Sequence, residues 1–114
     1  MDEKELQFIL QEGEGQFIEF KESFDPKSIA KELVAFANSG GGKIILGVND
    51  RGVINGIKVT NQLKSQIQDL ARNCDPSIPV NLLSFENILV VEVLEGKDKL
   101  YQCSSGFFIR QGAN

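Results

Sequence analysis

The sequence predicts an α+β fold: a mixed, mostly antiparallel sheet with two main helices packed on it and a short helix at the N-terminus. Three observations carry this. The segments following Asp25-Pro26 and Thr60 space their apolar residues as helices do, behind good capping residues. Several short runs rich in Ile, Val, Leu and Phe are separated by turn residues, as strands are. Tight turns between neighbouring runs imply a mixed or antiparallel sheet with helices packed on it.

Residues 2–11 read as a short helix with Leu6, Ile9 and Leu10 on one side, ended by Gly13 and Gly15. Residues 16–22 read as a strand, with Ile18 and Phe20 on one face and Phe17, Glu19 and Lys21 on the other. Asp25 is the N-cap and Pro26 the first residue of a helix reaching about Asn38, with Ile29, Leu33, Phe36 and Ala37 as its stripe. Gly40-Gly41-Gly42 stops it. Lys43–Val48 is a buried strand, Asn49-Asp50-Arg51-Gly52 is turn chemistry, and Val53–Ile57 returns as a hairpin partner. Thr60 caps the second helix, which buries Leu63, Ile67, Leu70, Ala71 and Cys74 and stops at Asp75-Pro76 and Pro79. Val80–Phe85 and Ile88–Leu94 form a hairpin through Glu86-Asn87. Leu100–Cys103 and Phe107–Arg110 are shorter strands around Ser104-Ser105-Gly106, and core is the expected place of both Phe107 and Phe108.

With 114 residues, 41% of them hydrophobic, the chain makes one domain with a single core. The acidic start Met1-Asp2-Glu3-Lys4-Glu5 is the opposite of a signal peptide, and no apolar run suits a membrane span, so a cytoplasmic protein is expected. The end at Gly112-Ala113-Asn114 reads as the start of a linker, making residues 1–114 the N-terminal part of a longer protein. Cys74 and Cys103 read as reduced thiols. Histidine is absent, which excludes Ser-His and Cys-His nucleophile systems within this chain. Hydrolytic chemistry would have to rest on carboxylates, lysine and a hard cation such as magnesium or manganese.

The net charge of −4 argues against a simple electrostatic grip on nucleic acid, but the acidity is local. Residues 1–22 hold seven acids against Lys4 and Lys21, so the rest of the chain is +1. Glu19 and Lys21 share a strand face in a Glu-x-Lys arrangement, where a carboxylate can bind a cation and the lysine can polarise water or phosphate. An exposed strand face also pairs Glu with Lys for no catalytic purpose. Glu14 stands just before that strand and Asp50 just after the next, so neighbouring strands would bring their carboxylates together; Asp50 is equally at home as a turn residue. Ser39-Gly40-Gly41-Gly42-Lys43 is not a phosphate loop, because Ile44 follows the lysine and the glycines join helix to strand. Lys21, Lys43, Arg51 and Arg110 are the candidate phosphate contacts; Lys58, Lys64, Arg72, Lys97 and Lys99 are scattered cations.

Three segments resemble the Schlafen AlbA-like domain: Glu14 with Glu19-Phe20-Lys21-Glu22, Ala35-Phe36-Ala37-Asn38 with Gly40-Gly41-Gly42, and Ile45-Leu46-Gly47-Val48-Asn49-Asp50 with Gly52. Phe107-Phe108-Ile109-Arg110-Gln111-Gly112-Ala113 resembles its closing motif. The resemblance implies a DNA-binding α+β module at the N-terminus of prokaryotic transcriptional regulators, often with a winged-helix segment downstream. It also implies a second function, since animal Schlafens use this fold as an RNA endonuclease with two glutamates and an aspartate. Those roles would fall on Glu14, Glu19 and Asp50, holding Mg or Mn, with Lys21 assisting. The animal enzymes join two such modules around tRNA, so one module would need a homodimer to imitate them. A protein-interaction or dimerisation module is the third expectation, one that suits the low net charge.

Overall fold

The structure, a computed structural model, describes residues 1–98 and 100–112. Strand β1 (Ile18–Lys21) and strand β2 (Gly42–Leu46) are separated by a helix, α2 (Pro26–Ala37), and so pair in parallel. The register sets Ile18 against Lys43 and Lys21 against Leu46. After helix α3 (Asn61–Arg72), strands β3 (Val80–Phe85) and β4 (Ile88–Val93) form the expected hairpin around Glu86-Asn87, with Glu86 at φ 54°. Strand β4 inserts beside β2, giving a mixed four-stranded sheet of order β1-β2-β4-β3 with only the β1–β2 pair parallel. Strands β5 (Gln102–Cys103) and β6 (Gly106–Phe107) pair separately.

Alternation along the strands sorts side chains to two faces. Ile44, Leu46, Leu89, Val91 and Val93 pack with Ile29, Leu33 and Phe36 of α2 and Leu63, Ile67 and Ala71 of α3. Phe20, Ile45, Ile88 and Val90 face the other way and pack with Leu6 and Ile9 of the first helix, α1 (Glu3–Glu12). Asp2 caps α1 by accepting the Glu5 N–H at 2.9 Å, and Thr60 caps α3 by accepting the Leu63 N–H at 3.0 Å. Asp25 precedes α2 in an extended conformation without a side-chain cap bond.

Three expectations are corrected. Val53–Ile57 is not a strand: only Ile54 bridges back to Val48. The carbonyl of Gly47 takes the N–H groups of both Asn55 and Gly56, and the Ile57 N–H then reaches Asn87, so the chain folds across the end of the sheet instead of along β2. The run 16–22 shortens to β1 because Gly15 N–H closes a turn onto the Ile18 carbonyl. Phe107 and Phe108 part: Phe108 packs on the core, whereas Phe107 is 57% exposed. Lys99, Ala113 and Asn114, and with the last two the linker expectation, lie outside the described residues.

Candidate functional site

Strand β1 is an edge of the sheet, and its odd positions face α2. Glu19 and Lys21 therefore point at the first turns of that helix. The Lys21 ammonium donates to Ser28 Oγ at 2.7 Å and lies 3.9 Å from Glu19 and 3.8 Å from Glu32. Into the same place comes the Arg110 side chain, wholly removed from solvent. Its guanidinium meets Glu19 and Glu32 at 3.0 Å each and donates to the carbonyls of Gly15, Gln16 and Ile18. Its other side stacks on the Phe36 ring, 4.5 Å from the ring centre. Glu14 accepts the outward N–H of Phe20 at 2.9 Å.

The carboxyl of Glu19 is pushed up from 4.5 to about 7. Burial is the main cause, followed by the charge of Glu32; Arg110 opposes the rise, and Glu14 adds to it. The folded protein therefore binds this proton more tightly than the unfolded chain. Stability from this group is full below the ordinary carboxylate value, falls as pH rises from 4.5 to about 7, and levels off above. A loss on the order of 1–3 kcal/mol is expected across that window. Melting curves from pH 4.5 to 8 should show it, and Glu19→Gln should flatten the slope; an unchanged slope would assign the effect to other groups.

The structure thus brings Glu14, Glu19 and Lys21 together but not Asp50. Asp50 is exposed in the turn after β2, and neighbouring Gly52 lies against Leu10 of α1, on the opposite side of the sheet from the face where Glu19 meets α2. Arg110 is corrected as a phosphate contact, since its donors are all occupied inside the protein. Lys43 lies on the α1 side of the sheet, 3.8 Å from its cross-strand partner Glu92. Of the four cations expected to meet phosphate, only Arg51 is exposed and without an ion pair among the described residues. Sequence reasoning missed Glu32 and Ser28. Glu32 is the one acid in α2 and borders the apolar stripe at Ile29 and Leu33, a signal that it faces the sheet.

Residues 14–114 match the family described as Schlafen, AlbA_2. The chain belongs to the Schlafen AlbA_2 family. Among solved structures, this Schlafen AlbA_2 domain is similar to the DIP2311 protein from Corynebacterium diphtheriae, with a TM-score of 0.65 and 21% identity. The likeness covers 87% of this chain and 24% of that one, and at this identity it speaks to fold alone. No curated protein matches. No helix of the Schlafen AlbA_2 domain is long and apolar enough to cross a membrane, among the described residues.

The divalent metal implied for Schlafen nucleases does not fit the residues as they stand. Among those described, no three His, Cys, Asp or Glu side chains are arranged to hold a metal ion. Glu19 and Glu32 are both engaged by the guanidinium between them, and Glu14 accepts a hydrogen bond from a backbone amide.

Proposed function

We propose that this domain is a nucleic-acid-binding module of a larger cytoplasmic regulator of transcription, one that grips the phosphate backbone at the rim formed by the carboxyl ends of β1 and β2. The carrying observation is a division of charge. In the β1 cluster Glu19 and Glu32 are paired internally with Arg110 and Lys21, while Lys27, Arg51, Lys58 and Lys64 have no ion pair among the described residues. These four share the rim. Lys27 opens α2 directly after β1, Arg51 lies in the turn after β2, and Lys58 and Lys64 flank the start of α3. That start is held near the β3–β4 turn by the bond from Ile57 to Asn87. The N-termini of α2 and α3 add positive potential at the same edge. Glu22, Asp25 and Asp50 share it, so the salt dependence should be modest.

Anisotropy titrations of labelled duplex DNA and single-stranded RNA over a range of salt test the proposal. A slope of log affinity against log salt of about −3 is expected for three to four phosphate contacts on duplex DNA. Arg51→Glu combined with Lys58→Glu should weaken binding by roughly tenfold or more at low salt without moving the melting temperature. Absence of binding to either nucleic acid at low salt would overturn the proposal. A manganese arm tests the nuclease alternative, which requires Arg110 to leave Glu19 and Glu32: metal-dependent cleavage abolished by Glu19→Ala would favour it. Neither binding nor cleavage would favour an interaction module, for which the exposed Phe17, Phe107 and Ile109 supply apolar surface.

A further inference from the structure

The two edges of the sheet differ. At β1 two outward backbone groups are taken: the Ile18 carbonyl accepts from Gly15 and Arg110, and the Phe20 N–H donates to Glu14. At β3 the hydrogen-bonding direction follows from the register. Lys43 N–H donates to Phe17 and Gly47 N–H to Lys21, so the alternate residues Gly42, Ile44 and Leu46 direct their backbone groups at β4. Ile44 pairs with Val91, which leaves Ile88, Val90 and Glu92 directed at β3, where their partners are Phe85, Leu83 and Asn81. The N–H and C=O groups of Val80, Leu82 and Ser84 therefore point away from the sheet. None of them has a hydrogen-bond partner among the described residues.

This edge also lacks the devices that keep exposed strands from pairing. Val80–Phe85 contains no charge and no proline, and its register with β4 runs unbroken without a bulge. Edge β1, by contrast, carries Glu19 and Lys21 and is shorter.

We propose that β3 pairs edge to edge with β3 of a second copy of this chain, antiparallel about a two-fold axis at Leu82, to make one continuous eight-stranded sheet. The choice of a second copy rests on self-complementarity. With Leu82 facing Leu82 of the other copy, Val80 faces Ser84 in both directions, and every outward N–H and C=O on both strands is bonded. No like charges meet along the uncharged strand. The same register sets Glu86 of each copy opposite Ile78 of the other. Ile78 is apolar and buried, so Glu86 meets no like charge in register there. This inference does not depend on nucleic-acid binding.

Amide exchange resolved by residue, at low-micromolar and near-millimolar protein, tests it together with sedimentation equilibrium. Asn81, Leu83 and Phe85 should be protected at every concentration, because their amides face β4. Val80, Leu82 and Ser84 should exchange fast in dilute protein and become protected as the mass doubles. Ser84→Pro removes an outward N–H at an exposed position and should give a monomer that still melts cooperatively; Ser84→Ala should still dimerise. A monomer at all concentrations overturns the proposal, as does a dimer in which the three outward amides still exchange fast. Protection of those amides in the monomer overturns it too, since the chain's own residues would then cover the edge. Should Ser84→Pro fail to fold, exchange in the unaltered chain decides alone.

Discussion

Arg110→Ala should be the most damaging single truncation in the polar part of the molecule, with a loss of about 3–5 kcal/mol. For a domain of this size that lowers the melting temperature by roughly 10–25 °C. The guanidinium is wholly buried, and its removal leaves two part-buried carboxylates, Glu19 and Glu32, with Lys21, 3.9 and 3.8 Å away, as their one remaining counter-charge among the described residues. It also strips donors from the carbonyls of Gly15, Gln16 and Ile18 and uncovers the Phe36 ring. Arg110→Lys should recover only part of this. A lysine carries one compact charge and cannot reach both carboxylates and three carbonyls as the planar fork does. The pH dependence separates lost charge pairing from lost packing. Once Arg110 no longer opposes the rise in the Glu19 pKa, the variant should gain stability on acidification more steeply than the unaltered protein, because protonation relieves the repulsion with Glu32. Thermal melts of both proteins from pH 5 to pH 8 would show it. A loss below about 1 kcal/mol would mean that the guanidinium is replaceable by water.

The role of Arg110 shows where legibility in the sequence ended. Local signals placed α2, α3 and the β3–β4 hairpin, because caps, apolar spacing and a two-residue turn lie within the segments they define. The shared face of Glu19 and Lys21 also followed from pattern, whereas the neighbouring of β1 and β2 entered only as a condition. The partners of Arg110 lie 71 to 95 residues away along the chain, and no local rule reaches that far. Its position near the C-terminus instead read as an exposed cation. The side of the sheet on which Asp50 lies was hidden for a related reason. The stripe of α1 shows that one side is buried but not on which face of the sheet, and that choice puts the 49–52 turn against α1 and away from Glu19. Val53–Ile57 had strand composition, but the Gly47 carbonyl captured its amides first.

Gly47→Ala should cost about 2–5 kcal/mol, and three glycines of graded environment show why. Gly15 has open space where a methyl would stand and no left-handed backbone, so Gly15→Ala should be nearly neutral or slightly stabilising. Gly13 has open space but φ +88° with ψ −172°, a region nearly reserved for glycine, so Gly13→Ala should show the backbone penalty alone, about 1–3 kcal/mol. Gly47 has φ +100°, and a Cβ there would lie 2.8 Å from the Asn87 carbonyl oxygen and 3.2 Å from the Ile57 nitrogen. Both are backbone atoms, which cannot swing aside as a side chain does, so overlap of about 1–3 kcal/mol adds to the conformational penalty. Denaturant melts of the three variants should rank in that order; Gly47→Ala equal to Gly13→Ala would mean that the 55–57 segment shifts freely. The position also connects stability to the proposed rim. The Gly47 carbonyl holds Asn55 at 2.9 Å and Gly56 at 2.8 Å, and these bonds fix the loop that carries Arg51 and Lys58. Gly47→Ala protein that remains folded should therefore bind nucleic acid with a shallower salt slope than the unaltered chain, whereas Gly13→Ala should leave that slope unchanged.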